Sequence, residues 1–115
     1  MRLALLLLLV ACGSSKPAGS SAPPPPAKLD PDAPLPVSCK VSEDCALVQA
    51  CCGCNASGKQ IAIRADSVAA FEASREDRCA DQMCAQAISS DPSCAAEAVC
   101  GQNDRCNVAP HLQSN

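Results

Sequence analysis

The chain has 115 residues, a formal net charge of −3 and eleven cysteines, and Phe71 is its one aromatic residue. With no Trp or Tyr and no basic stripe, it offers neither the stacking platform nor the phosphate-neutralising patch that nucleic-acid binding needs. So few large side chains also exclude an ordinary hydrophobic core, so a fold must draw its stability from elsewhere.

Met1 and Arg2 give a positive start, an unbroken apolar run follows from Leu3 to Val10, and small Ala11 precedes Cys12. This is the layout of a secretory signal peptide. The run is about half of the roughly 20 apolar residues that a spanning helix requires. Leu9-Val10-Ala11-Cys12 resembles the lipobox of bacterial lipoproteins. The resemblance implies that residues 1–11 are removed, that the Cys12 thiol is diacylated with palmitate-type chains, and that the new amine is acylated. A single acyl chain binds a membrane marginally, at about 0.8 kcal/mol per buried methylene, whereas two or three on one residue anchor firmly. Gly13, not Asp, follows the cysteine. By the same resemblance the protein is sorted to the outer membrane if its source has two membranes.

Residues 13–36 contain eight of the ten prolines, Pro23 to Pro26 among them, with Ser, Ala and Gly between. Such a segment buries too little surface to offset chain entropy and is expected to be a disordered spacer. At about 3.1 Å per residue in polyproline II it would reach roughly 70 Å from the membrane.

Residues 37–115 make one domain at most. They hold Cys39, Cys45, Cys51, Cys52, Cys54, Cys79, Cys84, Cys94, Cys100 and Cys106. In an exported chain this density marks a disulfide scaffold, and the even count fits complete pairing with the connectivity left open. The candidate core is Val37, Val41, Leu47, Val48, Ile61, Ile63, Val68, Phe71, Met83, Ile88, Val99, Val108 and Leu112.

Ala46-Leu47-Val48 reads as a short strand, and Gln60-Ile61-Ala62-Ile63-Arg64 alternates with the period of a half-buried one. Residues 55–59 form the turn between them. Residues 67–78 read as a helix capped by Asp66 or Ser67, with Val68 and Phe71 on one face and Glu72 spaced to pair with Arg75. Asp91-Pro92 marks a turn, and residues 96–100 and 105–109 flank Gly101 to Asp104 as a hairpin. The expected fold is a small disulfide-rich α+β domain: a short antiparallel sheet with one helix, preceded by signal peptide and linker.

Gly53 to Lys59 fits the first seven positions of a phosphate-binding loop, but Gln60 replaces the Ser or Thr that holds magnesium. The residues after it read as extended, so no helix N-terminus would meet a phosphate, and no nucleotide is expected. Cys51, Cys52 and Cys54 form the densest cluster. In a reducing compartment these thiolates would suit zinc or copper(I). Export favours disulfides, and Cys52 and Cys54 are expected to bond different partners because they cannot easily bond each other without strain. The one histidine, His111, lies near the C-terminus, away from the Cys51–Cys54 cluster, and is expected to be a solvated tail residue, so a catalytic pair is poorly supported. Asn55-Ala56-Ser57 matches a glycosylation sequon, expected to be incidental, and Glu72, Glu76, Asp77 and Asp81 are expected to be a solvated face.

Cys39, Cys45, Cys51 and Cys52, with Asp44 before Cys45, are spaced in a way that resembles the middle of whey acidic protein (four-disulfide core) domains, many of which inhibit serine proteases. The likeness covers about fourteen residues and breaks at Cys54, and no inhibitory segment is carried over from it. As a whole the chain is similar to the small cysteine-rich lipoproteins of myxobacteria. These readings imply a non-enzymatic, lipid-anchored envelope protein without a cofactor, acting as a binding or structural module. Its expected contacts are the membrane, through the anchor, and an unknown protein or envelope component. The alternatives are a protease inhibitor and a periplasmic thiolate binder of copper or zinc.

Overall fold

The structure, a computed structural model, describes residues 24–111. Residues 1–11, expected to be a signal peptide, the lipobox-like stretch ending at Cys12, residues 13–23 and Leu112 lie outside the described residues.

Strand β1 (Cys45–Gln49) pairs antiparallel with β2 (Gln60–Arg64), placing Leu47 opposite Ala62 and Val48 opposite Ile61. Helices α1 (Val68–Ala73) and α2 (Arg75–Arg78) follow. A second hairpin joins β3 (Ala96–Cys100) to β4 (Cys106–Pro110). The domain is the expected small disulfide-rich α+β fold, except that its strands form two two-stranded sheets rather than one.

Successive side chains on a strand point to opposite faces, and β1–β2 uses both. Cys45, Leu47 and Ala62 meet Cys39, Val37, Ala98, Cys100 and Cys106 on the side of the second hairpin. Val48, Ile61 and Ile63 meet Val68, Phe71 and Leu29 on the helix side. The first hairpin is thus a middle layer. The polar–apolar alternation of β2 predicts a half-buried strand, yet Ala62 is buried as well as Ile63. Alanine is small enough to let the second hairpin close over that face.

The expected single helix is broken at Ser74. Its buried hydroxyl donates to the Phe71 carbonyl at 2.8 Å, and its N–H is shared between the carbonyls of Ala70 and Phe71. A serine that bonds back to its own helix in this way competes with the regular ladder. The break lets Arg78 fold over Phe71, its guanidinium carbon 3.7 Å from the ring centre, while Nε and Nη2 donate to Ser74 Oγ and Phe71 O. Ser67 stands at the cap position without capping, because a 3-10 turn (Ala65–Ser67) leads into the helix and the Ser67 hydroxyl turns to Asp66. Asp66 itself pairs with Arg64. The expected Glu72–Arg75 pair is present.

Part of the proline-rich segment packs on the domain. Leu29 joins the Phe71 cluster, Lys28 reaches Asp77 at 3.1 Å, and the Pro36 carbonyl accepts from Arg64 N–H at 2.8 Å. Val37 O and Cys39 N–H then bond Cys106 and Asp104, so residues 36–39 run between the two hairpins. The packed unit therefore reaches back to Lys28, ahead of the boundary at Val37 expected from composition.

Four of the expected core residues lie outside it: Val41, Met83, Ile88 and Val108 are exposed. The ten cysteines form five disulfides: Cys39–Cys100, Cys45–Cys106, Cys51–Cys79, Cys52–Cys84 and Cys54–Cys94. Such a framework forms and persists in an oxidising compartment, which points to export.

Candidate interaction loop

Cys51, Cys52 and Cys54 follow directly on β1, and Arg75 fixes their start by donating to the carbonyls of Gln49 and Ala50, both at 2.9 Å. Each of the three takes its own partner, in order: Cys79, Cys84 and Cys94. One short stretch of chain is thereby stitched three times to the long connection between α2 and β3. The densest cysteine cluster of the sequence is the fastening line of a loop.

Hydrogen bonds fasten the same loop between its disulfides. Ser57 donates to the Ala87 carbonyl from its N–H (2.7 Å) and its hydroxyl (3.3 Å). Ser89 N–H donates to Cys54 O at 2.7 Å, and its hydroxyl bonds the Gly58 carbonyl. Asp91 accepts from Ser93 N–H, and the Ser93 hydroxyl accepts from Gln60 N–H, which ties the end of the loop to β2. Ser57 adopts the left-handed conformation, with φ of 55°. Gly58 has no room for a side chain, since a Cβ there would run into the Cys52 carbonyl.

Between these fixings residues 80–88 are all exposed. Met83 is 97% exposed and Ile88 87%, the latter although both neighbours, Ala87 and Ser89, are hydrogen-bonded to the domain. Isolated surface hydrophobics are ordinary. Two nearly bare ones on one braced loop are not explained by packing. Among the described residues the N–H groups of residues 83–88 have no protein acceptor. The loop therefore offers free donors beside two apolar side chains, while its own charged residue, Asp81, is acidic.

The segment resembling a phosphate-binding loop lies beneath. Four of its amides are spent within the fold: Ala56 and Gly58 donate to Gly53 O, Ser57 to Ala87 O and Lys59 to Cys52 O. Among the described residues the metal donors that come together are the sulfurs of Cys39, Cys45 and Cys106, within 4.8 Å of one another, and not Cys51, Cys52 and Cys54. Every one of these sulfurs is half of a disulfide, whereas thiolate is the form that binds metal. His111 lies 3.8 Å from Glu97 at the end of β4. The acids of the helical region are divided, Glu72 to Arg75 and Asp77 to Lys28. Among the described residues no buried side-chain nitrogen or oxygen lacks a partner.

The loop at residues 80–90 carries no periodicity or motif, so sequence reasoning counted Met83 and Ile88 as core and missed it. The usable signal was the crowding of Cys51, Cys52 and Cys54, which predicts three separate partners. Compared with protein-family models, curated proteins and solved structures, the chain matches none of them.

Proposed function

We propose that the protein is a non-enzymatic, lipid-anchored module of the bacterial cell envelope that binds a protein partner through the loop at residues 80–90. The observation that carries this reading is the pair Met83 and Ile88, held in solvent on a backbone fastened by Cys84, Ala87 and Ser89. Fixing a loop beforehand lowers the entropy lost on association, and exposed apolar anchors supply the contact area. The anchor rests on the lipobox likeness at Cys12, and the oxidising compartment that five disulfides require agrees with it. Chemical crosslinking in living cells tests the binding half. A specific partner should be captured by the wild type and lost with Met83→Ser/Ile88→Ser, and equal capture by both would reject the loop. Metabolic labelling with a palmitate analogue tests the anchor, since Cys12→Ala should carry no label.

A second reading, inhibition of a serine protease, is favoured by the same exposed, disulfide-braced loop, which supplies a segment of the kind the sequence likeness lacked. Titration against a panel of serine proteases separates it from the first. Stoichiometric inhibition that Met83→Asp removes would move it to first place.

A further inference from the structure

The five disulfides are not equally open to a reagent. Cys84 is the one exposed cysteine among the ten; its half-buried partner Cys52, together with Cys51, lines an open depression of about 640 Å³ beneath the loop. The other eight are buried or half-buried. Lys59 and Asp91 both stand on the rim of that depression, so its charge turns away neither a cationic nor an anionic visitor. Thiol–disulfide exchange is an attack by a thiolate on one sulfur of the bond, and access to that sulfur is one of the factors that set its rate.

The consequences of opening also differ. Residues 80–88, which Cys52–Cys84 restrains, are already exposed, so its loss uncovers no core. Loss of Cys39–Cys100 or Cys45–Cys106 would break into the cluster around Ala62. When Cys52–Cys84 opens, Cys51–Cys79 and Cys54–Cys94 still fasten the segment on either side of it.

We propose that Cys52–Cys84 is a thiol-exchange site whose substrate is a dithiol reductant, and that its opening frees the loop tip while the other four disulfides stay closed. A thiolate of the dithiol attacks Cys84 Sγ. A mixed disulfide forms there, the Cys52–Cys84 bond breaks, and Cys52 leaves as a thiolate. The second thiol of the reductant, once deprotonated, attacks its own sulfur in the mixed disulfide and expels the Cys84 thiolate. The reductant ends as a cyclic disulfide, two electrons pass to the protein, and the two protons given up by the dithiol end on Cys52 and Cys84. The proposal goes beyond partner binding and stands whether or not the loop meets a partner.

Graded reduction of the oxidised full chain with dithiothreitol, quenched by an alkylating reagent and mapped by mass spectrometry, tests it. Of the ten cysteines in disulfides, Cys52 and Cys84 should be the first two alkylated, about tenfold or more ahead of any other pair. Another pair appearing first, or all ten released in one step, would overturn it. In a Cys52→Ser/Cys84→Ser variant the fast two-thiol phase should vanish while amide protection in β1 to β4 is kept. A fast phase that survives there would also overturn it. Should the variant fail to fold, the order of alkylation in the wild type decides alone.

Discussion

Cys100 and Cys106 stand opposite each other across the β3–β4 ladder, and neither bonds the other. Cys100 bonds Cys39 and Cys106 bonds Cys45, each 61 residues away. The turn end of the second hairpin is thus clamped from both strands to the beginning of the domain. Long closures restrict the unfolded chain more than short ones, about 4 kcal/mol for a loop of this length taken alone.

Replacing one such pair, Cys45→Ala with Cys106→Ala, should therefore destabilise the domain by about 2–5 kcal/mol. Urea unfolding with the remaining disulfides intact measures it. A change under about 0.5 kcal/mol would mean that the apolar layers hold the hairpins together unaided.

Leu29 lies on the Phe71 cluster although composition assigns it to a spacer. Leu29→Ala should cost about 1–2 kcal/mol, less than a fully buried leucine because it is half-exposed. A chain shortened to begin at Val37 should lose at least as much, since Arg64 N–H also loses the Pro36 carbonyl. Equal unfolding midpoints for the full and shortened chains would show that residues 28–36 add nothing.

What the sequence made legible follows from local chemistry. Strand β2 coincides with the predicted residues 60–64, β1 extends the predicted Ala46 to Val48 by one residue at each end, and the second hairpin is shifted by one residue at its second strand. Complete pairing of ten cysteines followed from their count and compartment. What stayed hidden depends on three-dimensional neighbours. Ala62 is buried because a hairpin distant in sequence covers it, and Ser74 breaks the helix because Phe71 and Arg78 engage it. One leucine in a proline-rich run gives no signal of its own. Met83 and Ile88 have core-like side chains, and only the position of their loop puts them in solvent.

Gly58→Ala should disturb the loop's footing. The new Cβ would displace the Cys52 carbonyl, which accepts from Lys59 N–H at 3.0 Å. A loss of about 1–3 kcal/mol is expected, as for other overpacked sites. Hydrogen exchange should rise at Ser57, Lys59 and Ser89, whose N–H groups make the loop's fixings. Unchanged exchange at these three amides would contradict the role given to Gly58.

Acid should weaken the fold in one direction only. The Asp44 carboxyl is held below its ordinary value by the N–H groups of Lys40 and Val41, Asp66 by Arg64, Glu72 by Arg75, and Asp91 by the hydroxyl and N–H of Ser93. Where the folded pKa is lower, the unfolded chain takes up the proton first as pH falls. These contributions are thus present above the ordinary carboxylate values of about 4 and are lost as pH drops through the lower folded ones. Thermal midpoints should hold above about pH 5 and decline below about pH 4. A midpoint that rises in that acidic range would contradict the pairing of these carboxyls.

The disulfide framework underlies everything else, because it fastens the hairpins and holds the loop at residues 80–90 in solvent. Peptide mapping of the unreduced protein, digested at acidic pH so that thiols cannot exchange, tests it most directly. The expected linked pairs are Cys39–Cys100, Cys45–Cys106, Cys51–Cys79, Cys52–Cys84 and Cys54–Cys94. A local Cys100–Cys106 bridge, or free thiols at Cys51, Cys52 and Cys54, would contradict the account.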